Sequence, residues 1–378
     1  MNNAASQIKF QTSLPQFKVI KGNRLSLAEK QKLVAQFGTQ SSAYFNLQSG
    51  VEHFGIADIG FIAYHPQKTP MGLVNMVFAN PVCAPENLAT LIASYLNSVK
   101  GKTMFMGVDE VVRKVLADLG YSSNEMGTEF SFDITSFDVK GKTKKHLRHS
   151  SNLGERCGLT VKEQRWEDVD HDAVRAISEQ WRSNKVVKQR ELRLLTRPPE
   201  FDNAWGVRKF YCYQGDTLLG YVFFDPYFEN GKVVGYCANI LRRVSDAGPS
   251  DLLDFVILEA LKVFKAEGIK RLSLGISPLY NVESCEGENA TLRRLEQFMY
   301  KHCNMIYAFQ SLAYHKTRYR ADETKWYVCA KDMSSIKVAL AVLLGTNLVG
   351  FGKDNAPSEE IREAGSLRFD TAQPTMLF

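Results

Sequence analysis

No stretch of this chain reaches the run of about 18 apolar residues that a bilayer-spanning helix needs. The nearest, 338–351, is interrupted by Gly345, Thr346, Asn347 and Gly350, and reads as a buried helix or an interfacial anchor. The start, MNNAASQIKF, lacks the apolar h-region of a secretory signal. Seven cysteines (Cys83, Cys157, Cys212, Cys237, Cys285, Cys303, Cys329) are scattered and form no CxxC pair. That argues against a disulfide framework and a zinc site, and for buried thiols in a reducing compartment. The histidines show no metal spacing, and neither GxGxxG nor GxxxxGK[ST] occurs, so the expectation is no metal and no bound cofactor. A net charge of +6 is only mildly basic, compatible with RNA, an anionic membrane surface or phosphorylated ligands.

What the chain does have is an aromatic and cationic run, YAFQSLAYHKTRYR at 307–320, closed by Trp326-Tyr327. Lys316, Arg318 and Arg320 share one parity; Tyr307, Phe309 and Tyr319 share the other. On a strand, one face would be aromatic and the other would carry three positive charges. On a helix, Lys316 and Arg320 would still sit one turn apart. Cations beside an apolar surface suit a phosphate-bearing ligand with an apolar part.

At 378 residues the chain is long enough for two domains or two fused repeats. After a loose leading segment to about residue 25, Ser26 caps a helix over 27–37. Strands are expected at 44–47, 60–64, 73–78, 103–108 and 128–134, with helices at 84–99 and 109–119. The second half repeats this order. It has a helix at 168–184, a meander at 209–214, 217–224 and 233–241, and a patterned helix at 251–267. Then follow a strand at 271–276, a helix at 289–302 and strands at 307–314 and 325–329. Gly215-Asp216 and Asn230-Gly231-Lys232 are hairpin turns. The class is α+β, with halves at 1–137 and 166–335, a basic connecting segment at 138–165, and an apolar helix with a flexible tail at 336–378.

Four segments offer chemistry. The loop from Asn239 through Arg242, Arg243 and Gly248 into the helix holding Asp251 and Asp254 joins fixed charge to a helix amino terminus, or is an ordinary strand–loop–helix turn. Asp225-Pro226 starts a turn or orients a nucleophile. Lys142, Lys144, Lys145 and Arg148 track a phosphate backbone or an acidic membrane, or lie on a solvated helix start. The loop from Ser277 to Glu286 carries Glu283 and Glu286, lone carboxylates that could serve as bases.

Taken in order, these segments resemble the C-terminal catalytic domain of the bacterial phosphatidylglycerol lysyl- and alanyltransferases, within the wider tandem acetyltransferase-like (GNAT) folds. The resemblance runs from about residue 40 to 330. Lys145-His-Leu-Arg148 with Asn152 is similar to the family's K-x-L-R-x-x-x-N run. Ser273-Leu-Gly-Ile-Ser-Pro-Leu279 is close to its S-L-G-M-A-P-L. Arg242, Asp254, and Tyr307-Ala-Phe with Leu312, Lys316, Arg318 and Tyr319 fall on further matching positions. Where the family has Asp and Glu, this chain has Asn239 and Asn304, and asparagine cannot act as a carboxylate base. The family's membrane-embedded flippase is not in this sequence.

The resemblance implies two fused GNAT-like domains, each a mixed, mostly antiparallel sheet flanked by helices. It implies transfer of an aminoacyl group from tRNA, or an acyl group from CoA or an acyl carrier, to an anionic phospholipid or a small hydroxyl or amine acceptor. A non-catalytic tRNA or headgroup binder is the rival. The expected catalytic residues are Asn239, Asp254, Asn304 and Lys316. Arg242, Arg243, Arg318, Tyr319, Ser277 and Glu283 would bind substrate, and Lys144, Lys145 and Arg148 would contact tRNA. DNA is not an expected partner, and the expected location is cytoplasmic with peripheral contact at the inner face of the membrane. Arg242, Lys316 and Arg318 are expected to meet in one pocket.

Overall fold

The computed structural model describes residues 19–183, 191–245, 247–305 and 307–349. Most of the leading segment and the tail from 350, like the end of the helix expected to reach 184, lie outside the described residues.

The first helix, α1 (Leu27–Phe37), begins at a capping box. Ser26 Oγ accepts from Glu29 N, and the Glu29 carboxylate accepts from Ser26 N at 2.7 Å. Residues Ala43–Leu47 form a 3-10 helix rather than the expected strand. Asn46 and Gln48 turn their side-chain amides back onto the Ala43 and Phe45 carbonyls, which favours a local turn over a ladder. There follow β1 (Glu52–Ile56), β2 (Gly60–Thr69), β3 (Gly72–Phe78), β4 (Val82–Cys83), α2 (Leu88–Ser98), β5 (Lys102–Val108), α3 (Glu110–Asp118) and β6 (Ser122–Asp133). Asp109 caps α3, and Gly120, at φ +83°, follows its end.

The connecting segment holds α4 (Lys145–Arg156) and β7 (Leu159–Glu163). The second half contains α5 (His171–Ser183), β8 (Arg208–Gln214), β9 (Thr217–Glu229), β10 (Lys232–Arg243), α6 (Leu252–Ala266), β11 (Arg271–Pro278), α7 (Ala290–His302), α8 (Phe309–Thr317), β12 (Asp322–Ala330) and α9 (Ser335–Gly345). Asn230 and Gly231 both take positive φ, as the tight turn between β9 and β10 requires.

The aromatic and cationic run is helical, not a strand. Asn304 Oδ1 accepts from Gln310 N at 3.0 Å in the first turn of α8, and Phe309, Ala313 and Lys316 are its buried residues. That spacing has the helical period, which the alternation of charge and aromatics masked.

Among the described residues the strands form one 12-stranded sheet in the order β1-β2-β3-β5-β12-β6-β11-β10-β9-β8-β7, with β4 beside β2. It is mixed and mostly antiparallel, and helices flank it, in the expected α+β class. Strand β12, late in the chain, sits between β5 and β6, so the halves share a ladder rather than merely touching. The two parallel pairs, β3 with β5 and β10 with β11, each span a crossover containing a helix, α2 or α6. Helices α4 and α6 cover one face of the second half around Leu147, Phe255, Val256 and Tyr319. On the other face α5 packs Val174 and Ile177 against Tyr221, Phe223 and Ile240.

Candidate functional site

Strands β10 and β11 pair in parallel only from Gly235–Arg271 to Cys237–Ser273. Beyond that point β11 carries an irregularity against β6 between Ser273 and Ile276, and Gly275 takes φ +75°. A side chain there would be strained. The kink leaves the Ile276 carbonyl to accept from Lys316 Nζ at 2.9 Å. A Cβ on Gly275 would stand 3.6 Å from that amine and 3.7 Å from Cys237 Sγ. Lys316, at the end of α8, therefore enters where the two strands part.

Lys316 is 8 % exposed and makes no ion pair with a carboxylate among the described residues. Burial pulls its amine down to about 8, against the opposing influence of Cys237 and Glu129. Glu129 is already engaged, accepting from Ser273 Oγ at 2.5 Å and Trp326 Nε1 at 2.7 Å. A buried amine titrating near neutrality is the type of group that serves as a general base.

A second cluster forms around Asp254 in the first turn of α6. The carboxylate is 1 % exposed and accepts from four side chains. These are Tyr319 OH at 2.5 Å, His315 Nε2 at 2.8 Å, and His146 Nε2 and Arg318 Nη2 at 3.2 Å each. Burial opposes its charge, but His315, Tyr319 and His146 overcome it and bring the pKa down to about 2. Burial and the same carboxylate push the Tyr319 hydroxyl far up, which keeps it a donor. Arg318 Nη1 also lies 3.3 Å from His146 Nδ1. A guanidinium can only donate, so Nδ1 accepts and Nε2 carries the proton to Asp254. His146, Asp251 and Asp254 place ligand atoms within 4.8 Å of one another, a spacing a metal would tolerate. The fixed cation of Arg318 and the donors already on Asp254 make that arrangement a poor host for a dication.

The expected residues separate into groups. Lys316, Arg318, Tyr319 and Asp254 lie at the end of α8 and the start of α6. Arg243 belongs on the same face, because a Cβ at Gly220 would touch both its Cβ and Leu252 of α6. Arg243 donates to the Val244 carbonyl and has no ion pair among the described residues. Arg242 does not join them. It projects to the α5 face, donates to Ser178 Oγ and the Glu191 carboxylate, and lies 4.6 Å over the Trp181 ring. The expected convergence of Arg242 with Lys316 and Arg318 is thus corrected. Adjacent residues of a strand point to opposite faces, so Arg242 and Arg243 cannot share a ligand pocket on one of them.

Asn239 donates to Asp225 Oδ2 at 2.9 Å. Asp225 is no turn residue: it lies within β9, fully buried, with Arg197 Nη2 at 2.7 Å. Asn304 ties the end of α7 to α8, donating to the Tyr300 carbonyl. Ser277 is buried in β11 and its hydroxyl has no partner among the described residues. Glu283 is exposed, its backbone N–H on the Glu125 carboxylate. In the basic segment, Lys144 donates to the Asp138 carbonyl and covers the Phe137 ring, and Arg148 holds the Val139 and Gly141 carbonyls. Lys145 is exposed. His146 and His315 were not anticipated. A helical reading of the run puts His315, Arg318 and Tyr319 at i, i+3 and i+4 on one face, but only the packing of α4 beside them brings in His146.

Residues 31–330 match the sequence profile of the family described as phosphatidylglycerol lysyltransferase, C-terminal. A phosphatidylglycerol lysyltransferase of Bacillus subtilis is 22% identical over 286 residues, covering 74% of this chain and 32% of that protein. An uncharacterized protein of Corynebacterium glutamicum is 21% identical over 293 residues, covering 75% of this chain and 36% of the relative. The chain thus spans about a third of the length of these curated relatives. Among solved structures, that of L-PGS from Bacillus licheniformis superposes with a TM-score of 0.68 at 17% identity, covering 86% of this chain and 98% of that one.

Proposed function

Because this chain belongs to the family of phosphatidylglycerol lysyltransferase C-terminal domains, we propose that it transfers an aminoacyl group from a charged tRNA to the hydroxyl of an anionic phospholipid. The observation that carries this reading is Lys316, a buried amine with a pKa brought down to about 8 at the parting of two parallel strands. In the proposed step the lipid hydroxyl oxygen attacks the aminoacyl ester carbon, and its proton passes to Lys316 Nζ. The tetrahedral intermediate collapses, the ribose oxygen leaves, and the lysine returns the proton to it. Arg243 and Arg318 hold the lipid phosphate, with Asp254, His146 and Tyr319 fixing the orientation of Arg318. Lys145 contacts the tRNA, and Ser277 supplies a donor to the developing oxyanion. The protein meets its lipid as a peripheral protein at the inner face of the membrane.

The test uses the full chain, a panel of charged tRNAs, and vesicles containing phosphatidylglycerol, with lipid products read by mass spectrometry. The expected product is phosphatidylglycerol heavier by one aminoacyl group. Absence of product across the panel, or Lys316→Met transferring at the wild-type rate, would overturn the proposal.

A further inference from the structure

A cavity lies under α7, α8 and α9, against the sheet. Its lining includes Met126, Leu279, Leu292, Phe309 and Val338, and among the described residues one titratable side chain, Glu296 of α7, the other described lining residues being apolar. The space is about 60 Å³, room for a few small groups at the 10–15 Å³ or so that one water centre needs.

Glu296 is 6 % exposed, and its Oε2 has no hydrogen-bond partner among the described residues. Leaving such a buried group unsatisfied is destabilising. A water is a poor remedy, since it needs two or more polar partners and the walls offer only this one. The surroundings also select a sign. Burial first, then Glu125 and Glu288, push the carboxyl up to about 8. Those neighbours already hold cations of their own, Lys325 at 2.7 Å and Arg293 at 2.9 Å. A fatty acid or phosphate would bring a further negative charge to three carboxyl groups. A ligand cation on an apolar chain would complete the site.

We propose that this cavity binds a small aliphatic primary amine, its chain against Leu292, Phe309 and Val338 and its ammonium on the Glu296 carboxylate. An amine that enters neutral takes the Glu296 proton, and one that enters as ammonium displaces it to water; the bound pair is ionised either way. The inference does not depend on the transfer reading, because its test measures binding with no donor or lipid present.

The experiment is calorimetric titration of the full chain with n-pentylamine and, separately, n-pentanol, which match in length and differ in charge. The expected result is an affinity at least tenfold higher for the amine in the wild type, and equal affinities in Glu296→Gln. Val338→Phe, which fills the cavity from α9 without touching the acid, should abolish binding of both. Equal affinities in the wild type, no binding of the amine, or an amine preference that survives Glu296→Gln would each overturn the assignment. Tighter binding of the alcohol would identify a purely apolar pocket instead.

Discussion

The two parallel strand pairs of the sheet follow one plan and end differently. In the first half, β3 and β5 stay paired from Val74–Lys102 through Phe78–Met106. Just beyond, Gln40 closes the opening: its Nε2 donates to the Gly107 carbonyl at 2.7 Å and its Oε1 accepts from Asn80 N at 2.7 Å. In the second half, β10 and β11 separate after three pairs, and the side chain that enters is Lys316, whose amine has one carbonyl as acceptor. A neutral amide satisfied at both ends seals a splayed pair. A lysine held in the same kind of place, desolvated and with no ion-pair partner among the described residues, stays chemically available. The difference separates a structural half from a candidate catalytic half, although both have the strand–helix–strand frame.

The sharpest way to break this comparison is Lys316→Met. Transfer should fall by about 10²–10⁴-fold, the usual worth of a general base. The melting temperature should hold or rise, because a desolvated amine gives way to an apolar chain of similar length. Parallel losses of rate and melting temperature would make Lys316 a structural residue like Gln40.

Asp254→Asn should cost on the order of 3–5 kcal/mol at pH 7 in urea unfolding, since it leaves Arg318 and its companions around a lost charge. The sign follows from the lowered carboxylate pKa of about 2. Stability from this group is fully present above its unfolded value and is lost as pH falls through the folded one. The gap between wild type and variant should therefore narrow below about pH 4. A gap that does not depend on pH would show that charge is not what Asp254 contributes.

On the other side, Gln40→Ala orphans the Gly107 carbonyl and the Asn80 N–H. It should cost about 1–3 kcal/mol, with the rate per folded molecule unchanged. A fall in that rate would give the first half a part in the chemistry. The smallest effect is a pH profile: with the amine titrating near 8, the transfer rate should rise about tenfold from pH 7 to pH 9 as the free base accumulates. A flat profile would assign the proton to another group.

Much of the fold was legible because periodicity and end signals are local. Ser26 marked the start of α1, and Asn230-Gly231 marked the turn before β10. The run at 307–320 misled because its alternation mimics a strand, while the bond from Asn304 to Gln310 that helps start α8 joins residues six apart across a loop. The site was half legible. Lys316, Arg318, Tyr319 and Asp254 were chosen as candidates, but His146 and His315 needed the packing of α4 and α8 around one carboxylate to come into view.

The sequence by itself determined the α+β class, most helix and strand positions, and the family, because each is written in short-range patterns of side-chain size, charge and turn chemistry. Only the tertiary structure decided that Arg242 is bound up on the α5 face, that β12 threads between β5 and β6, and that Lys316 is buried where two strands part. Those outcomes depend on which distant residues come to share a face and exclude water, and a residue's charge or exposure is set by those neighbours rather than by its own place in the chain.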